Sequence, residues 1–189
     1  MYDLFYHASN IGNLKELLPL SILHGTDKKV CYLTPFRVYA LFYLRDMNIN
    51  HVTCALSGDG IVSYYEEFPC QMQTIYQGGA GYLYACTNAG QITEQHTKGV
   101  WGTATPVAVS TVEYISDVYA EILKAQYAGD VKVICYESLS SEARAGITEK
   151  WKNVILKQNF WNDNVQKAKF FSENFPQAWK AAKEEGKLS

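Results

Sequence analysis

The chain lacks most of the patterns that announce a chemistry. No Gly-rich loop opens a helix: Gly78-Gly-Ala-Gly81 precedes a strand-like run, which makes it a connector and not a phosphate cradle. The four histidines, His7, His24, His51 and His96, keep no metal-ligand spacing, and no serine or cysteine nucleophile motif is found. The five cysteines, Cys31, Cys54, Cys70, Cys86 and Cys135, are odd in number and contain no close pair, which argues against zinc or dithiol chemistry and for reduced thiols. Neither sign of charge dominates. With 17 Lys+Arg against 19 Asp+Glu the formal net charge is -2, so there is no net drive toward nucleic acid or an anionic membrane. No apolar run approaches a membrane span, and Met1-Tyr-Asp-Leu-Phe-Tyr6 has no basic region ahead of an apolar stretch. The expectation is a cytoplasmic protein with no metal and no membrane partner. Internal repeats and low-complexity tracts are missing too.

What is present suits an ordinary folded chain. At 189 residues, 48% hydrophobic and 19% charged, it can bury one sizeable core. Apolar and aromatic alternation over Asp3 to His7 reads as a first strand ending before Ala-Ser-Asn, and Val30 to Leu33 as a second. Thr34 suits an N-cap and Pro35 a first helical position, opening a helix through Tyr39 and Tyr43 that Asn48 to Asn50 would end. His51 to Leu56 and Ile61 to Phe68, joined by Ser57-Gly-Asp-Gly60, form a hairpin signal. A short helix is expected over Gln71 to Tyr76, and strands over Tyr82 to Cys86 and Pro106 to Val109. Ile115 to Leu123 has helical spacing with Asp117 or Ser110 as cap, and Val131 to Tyr136 returns to strand. From Ser140 to Gly186 helices dominate, with Ile147, Trp151, Val154 and Ile155 as one apolar stripe and the tryptophans, Trp161 included, docking the helices onto the sheet. The prediction is an α+β fold: a compact antiparallel or mixed sheet core over residues 1–136, with about six strands, one clear internal helix and a cleft, plus a helical C-terminal extension over 137–189 packed on the same domain.

One constellation stands out among the 14 tyrosines. Tyr32 lies near a strand end, and Tyr39 and Tyr43 share one face of the segment that follows, a short way downstream of Phe5-Tyr-His-Ala-Ser9. A flat, electron-poor ring such as nicotinamide can stack between tyrosines in such a slot. The bland alternative is that these are core tyrosines with satisfied hydroxyls.

These same residues, Phe5-Tyr-His-Ala-Ser9, Tyr32 and Tyr43, resemble the diphtheria-toxin-like, poly-ADP-ribose-polymerase-like branch of the ADP-ribosyltransferases, which uses a histidine, tyrosine, acid triad. The resemblance implies an ADP-ribosyltransferase-like fold with a nucleotide cleft and NAD as substrate. It gives His7 the ribose and Tyr32 and Tyr43 the nicotinamide, with Ala8, Ser9 and Tyr39 beside them. Ala8 stands where that family has glycine, so a methyl group meets the nicotinamide amide there. His24-Gly-Thr26 matches the family tripeptide better in letters, yet it lies too close to Tyr32 for a strand, a return and a second strand. Breaking the nicotinamide–ribose bond creates an oxocarbenium-like centre and needs tight orientation more than a strong base.

Two glutamates compete for the acid. Gly81-Tyr-Leu-Tyr84, then Glu94, then Thr105-Pro-Val-Ala-Val109 resembles the rifampin ADP-ribosyltransferases and favours Glu94. Val112-Glu-Tyr-Ile115 resembles the glutamate segment of the diphtheria-toxin branch and favours Glu113, although Ser110-Thr-Val-Glu113 is also a capping box. Glu66 and Glu67, adjacent on a strand, face opposite sides and do not make a carboxylate pair. The expected function is an NAD-dependent ADP-ribosyltransferase-like protein with the acceptor open. Its rival is a non-catalytic module of the same fold that binds a nucleotide or a protein and has lost the acid.

Overall fold

The computed structural model describes residues 2–23, 26–45, 53–57, 59–87, 89–160 and 165–186. In chain order the strands are β1 (Phe5–Ser9), β2 (Glu16–Leu17), β3 (Ser21–Ile22), β4 (Lys29–Leu33), β5 (Cys54–Leu56), β6 (Val62–Tyr65), β7 (Gly81–Cys86), β8 (Thr93–Glu94), β9 (Trp101–Thr103), β10 (Val107–Ala108), β11 (Thr111–Ile115) and β12 (Val131–Ile134). The helices are α1 (Arg37–Leu41), α2 (Gln71–Tyr76), α3 (Val118–Ala128), α4 (Ser141–Gln158), α5 (Val165–Asn174) and α6 (Pro176–Gly186). The architecture is mixed α+β, with several small, mostly antiparallel sheets followed by C-terminal helices. No helix among the described residues is long and apolar enough to cross a membrane.

Two sheets matter for the site. In one, β7 lies between β1 and β11; in the other the order is β3-β4-β9-β8. A bridge between Tyr6 and Thr34 ties them together. The expected hairpin forms as β5 and β6, paired Leu56 to Val62, and β12 adds to β6 in parallel.

Several expectations are corrected. Helix α1 starts at Arg37, not Pro35, because the Thr34 backbone is committed to Tyr6 on both its N–H and its C=O, and a strand rung cannot also be a helix cap. The helix ends at Leu41, which leaves Tyr43 in the turn beyond it. Ser110 to Glu113 is not a capping box: Thr111–Ile115 is a strand on β7, and Asp117 caps α3 by accepting from Ala120 N at 2.9 Å. More strands form than expected because β2, β3 and β8 are two residues long, too short for an alternation signal, whereas β10 falls within the strand expected over Pro106 to Val109. Asn48 to Asn50, His24, His51 and Trp161 lie outside the described residues.

The core has three clusters. Tyr39, Leu41, Phe42 and Leu44 pack with Tyr64, Tyr76, Leu83 and Ile122, and the buried Tyr76 hydroxyl donates to the Phe42 carbonyl at 2.9 Å. Phe5, Leu33, Tyr84 and Val107 fill the space between β1, β4, β7 and β10. Trp151, Ile155, Phe170, Phe171 and Phe175 hold the C-terminal helices together, and Phe68 joins them from the sheet segment. Burying each such side chain is worth about 1.5–3 kcal/mol, so the phenylalanine-rich third cluster is what fixes the helices in place.

Candidate functional site

The cleft originates in a change of partner along one edge of β4. Lys28 O accepts from Leu23 N at 2.8 Å and Val30 pairs with Ser21, so this part of the edge belongs to β3. Thr34 exchanges two backbone bonds with Tyr6, at 2.7 and 3.0 Å, so the next part belongs to β1. Backbone groups alternate in direction along an antiparallel strand, so Tyr32, between them, turns its N–H and C=O to this same edge. At that rung neither neighbouring strand supplies a backbone partner among the described residues. The His7 ring takes the carbonyl instead, with Nδ1 2.8 Å from Tyr32 O.

The same alternation sets the facing strand. Tyr6 directs its backbone to Thr34, and Ala85 on β7 directs its own to Ser110, so Tyr6 and Ala85 face away from each other. Ala8, two residues after Tyr6, therefore turns its N–H and C=O away from β7 and toward the split. A carbonyl can only accept, so Nδ1 of His7 carries the hydrogen and Nε2 is left as an acceptor. Burial pushes the His7 ring below its ordinary protonation range, and the bond to Tyr32 offsets this in part.

A cleft of about 530 Å³ opens at this split. Its floor and first wall come from Tyr6, His7 and Ala8 of β1 with Tyr32, Leu33 and Thr34 of the β4 edge. Ala40, Tyr43 and Arg45 line it from α1 and the turn after it, Ser21 and Leu23 from β3 and its end, and Gln95, His96, Thr97 and Val100 from the β8–β9 turn. Tyr43 is 38% exposed, its ring set edge-on to Tyr39 at 5.7 Å and its hydroxyl 3.5 Å from that of Tyr39. Arg45 is buried, with its guanidinium 5.5 Å from the centre of the Tyr43 ring. The β8–β9 turn is held by Gln95 N donating to Val100 O at 2.8 Å and by Gly99 N donating to Glu94 Oε1 at 3.3 Å. Gly99 has φ +75, and a Cβ there would collide with Leu56, so the turn depends on that glycine.

Of the residues singled out in the sequence, His7, Ala8, Tyr32 and Tyr43 share this cleft. The others lie elsewhere. Tyr39 is buried in the core beside Tyr43, and Ser9 Oγ accepts from Ile11 N at 3.1 Å. Glu94 is exposed on β8 and braces the turn, so it abuts the cleft-lining Gln95 without lining the cleft itself. Glu113 is exposed on β11 and is held by Arg37. Glu66 and Glu67 lie just beyond the end of β6, not on a strand, and bind different partners. Glu66 is buried and accepts from Met72 N and Tyr136 N at 3.1 and 3.4 Å, whereas Glu67 accepts from Trp151 Nε1 at 2.7 Å.

Sequence reasoning passed over Tyr6, Arg45, Gln95 and His96, all of which line the cleft. Arg45 follows Tyr43 by two residues and His96 follows Glu94 by two, so proximity to the chosen residues was the available signal. Among the described residues no group of three or more His, Cys, Asp or Glu is placed to hold a metal ion. The chain matches no protein-family model, no curated protein and no solved structure.

Proposed function

We propose that this chain is an ADP-ribosyltransferase-like protein whose cleft binds NAD or a related nucleotide by its nicotinamide riboside end. The observation that carries the reading is the convergence of His7, Ala8, Tyr32 and Tyr43 on one cleft at a split between two strands. A carboxamide is a peptide group in miniature, so the Ala8 N–H and C=O and the Tyr32 N–H suit it as strand edges suit a neighbouring strand. His7 Nε2 accepts from a ribose hydroxyl, and the Tyr32 and Tyr43 rings flank the nicotinamide. The methyl group of Ala8 narrows the slot without removing its backbone groups.

Of the two forms of this reading, binding without carboxylate-assisted cleavage is the better supported. Among the described lining residues there is no aspartate or glutamate, and Glu113 is engaged by Arg37. The transferase form rests on Glu94, which adjoins the cleft-lining Gln95. One experiment separates them: NAD affinity by calorimetry and nicotinamide release by chromatography, for the wild type and for His7→Ala, Tyr32→Ala and Glu94→Gln. The expected result is binding by the wild type, at least tenfold weaker binding for the first two variants, about 1.4 kcal/mol or more, and no release above the Glu94→Gln level. No binding by the wild type sinks the reading. Release that Glu94→Gln abolishes while binding persists establishes the transferase form.

A further inference from the structure

Two cysteines far apart in sequence meet at one carboxylate. Cys70 immediately precedes α2, and Cys135 precedes a single helical turn over Tyr136–Ser138 that follows β12. Each occupies the cap position, where a side-chain oxygen ordinarily accepts from the first turn, yet neither thiol makes such a bond. Glu66 serves both turns instead: its Oε1 accepts from Met72 N at 3.1 Å and its Oε2 from Tyr136 N at 3.4 Å. Because one buried carboxylate reaches both first turns, the two caps converge on it. The backbone adds a further tie, since Glu66 N donates to Ile134 O at 2.9 Å and Cys135 is the next residue. Cys70 also holds φ +55, a left-handed conformation that favours glycine or asparagine, so neither capping nor backbone geometry explains a cysteine there. Both thiols are exposed, whereas Cys31 and Cys86 are buried and Cys54 is half-buried. The Cys135 thiol is pushed up by desolvation first and then by Glu66 and Glu137, and the Cys70 thiol lies near enough to add to the shift.

We propose that Cys70 and Cys135 form a redox modification site, a thiol pair that a peroxide oxidises to a disulfide joining the start of α2 to the end of β12. The inference is independent of the nicotinamide reading of the cleft. In the first step one thiolate sulfur attacks the peroxide, the O–O bond breaks, and the sulfur keeps one oxygen as a sulfenic acid while the other leaves as water. In the second step the other thiolate attacks that sulfur, the S–S bond forms, the S–O bond breaks, and the hydroxide leaves as water with a proton from solvent. Over both steps two thiols and one peroxide give one disulfide and two waters, the thiols losing the two electrons that the peroxide gains. The bond closes a loop over residues 70–135 that contains β7, β11 and α3. It joins segments that Glu66 already holds together, so it restrains the unfolded chain more than the folded one. The C-terminal helices start close by: Arg144 of α4 donates to Glu137 O at 2.7 Å and stands 5.1 Å from the centre of the Tyr136 ring. Oxidation thus fastens the point at which the sheet hands over to α4.

The test treats the reduced full chain with a small excess of hydrogen peroxide, for the wild type, Cys70→Ser and Cys135→Ser. The wild type is expected to lose two thiols per chain and to give a Cys70–Cys135 cross-link within one chain in non-reducing peptide mass spectrometry. Its Tm should rise by at least about 5 °C and return to the starting value on adding dithiothreitol. Either serine variant should show no cross-link and no rise, with the remaining cysteine of the pair trapped as a sulfenic acid by dimedone. A glutathione redox buffer then separates a pair placed by the fold from two thiols that are merely reactive: the effective concentration of one thiol at the other should fall at least about tenfold when the chain is unfolded in urea. Should a serine variant not fold, the cross-link map and the urea comparison on the wild type decide. Over-oxidation of both sulfurs without a cross-link, a disulfide between chains, a different cysteine as partner, an unchanged or lowered Tm, or a cross-link that forms as readily in urea overturns the site.

Discussion

Arg37 grips Glu113 from 76 residues away in sequence, with Nη2 2.6 Å from Oε1 and Nε 3.0 Å from Oε2. The fork ties the start of α1 to β11 across the outer face of the sheet and draws the Arg37 guanidinium further above its ordinary range. Both side chains remain partly exposed, at 32% and 50%, so the pair is screened by solvent. Glu113→Gln is therefore expected to cost less than about 1 kcal/mol in urea denaturation. The same variant should leave nucleotide affinity at the wild-type value. A loss of affinity without a loss of stability would return Glu113 to the site.

The His7 ring gives stability a pH signature. Burial lowers its folded-state value from the ordinary 6.5, so the unfolded chain takes up the proton more readily. His7 accordingly costs nothing above about pH 6.5 and becomes destabilising as pH falls through that value. Urea denaturation from about pH 7 to about pH 5 should show a smaller loss of stability for His7→Gln than for the wild type. Identical slopes would mean that the ring is solvated.

The junction between the sheet and the C-terminal helices can be tested at Glu67. Its carboxylate accepts from Trp151 Nε1 and from Lys150 Nζ, each at 2.7 Å. Trp151→Phe keeps a ring in the aromatic cluster and loses one charge-assisted bond, for an expected cost of about 1.5–3 kcal/mol. Trp151→Ala also opens a cavity and should cost about 3–5 kcal/mol. Thermal melts rank the two. Hydrogen exchange should show the extra opening of Trp151→Ala concentrated in residues 141–186, and opening spread evenly through the sheets would contradict this account.

Cysteine reactivity should sort by burial. Cys31 and Cys54 are pushed up to about 12 and Cys86 to about 11, mainly by desolvation, whereas Cys70 and Cys135 are exposed. Brief alkylation of the native protein at mildly alkaline pH should label Cys70 and Cys135 first. The remaining three should label only on unfolding, as read by peptide mass spectrometry.

The parts of the site legible in the sequence were those fixed by local pattern. Tyr32 sits on an alternating strand segment and Tyr43 follows a strand-to-helix junction marked by Pro35, so spacing brought these two together, and His7 joined them through the family resemblance of Phe5-Tyr-His-Ala-Ser9. Glu113 was ambiguous for a physical reason. A Ser-to-Glu spacing before an apolar run serves a helix cap or an edge strand equally, and the decision came from pairing with β7, near Leu83, about thirty positions away. Arg45, Gln95 and His96 were missed because turns bring them to the cleft, and the position of a turn depends on what it packs against. The length of the sheet was underestimated for the same reason: two-residue strands such as β3 and β8 exist only by virtue of their partners.

The missing rung at Tyr32 makes one hydrogen atom unusually informative. By position its amide sits in mid-sheet, between Val30, which pairs with β3, and Thr34, which bonds Tyr6, and a mid-sheet amide ordinarily exchanges with water only when the domain opens. This one should exchange like a loop amide while the gap is empty and slow down when something bridges it. A single resonance thus serves as an occupancy gauge, usable on a mixture of metabolites before any one of them is known to bind.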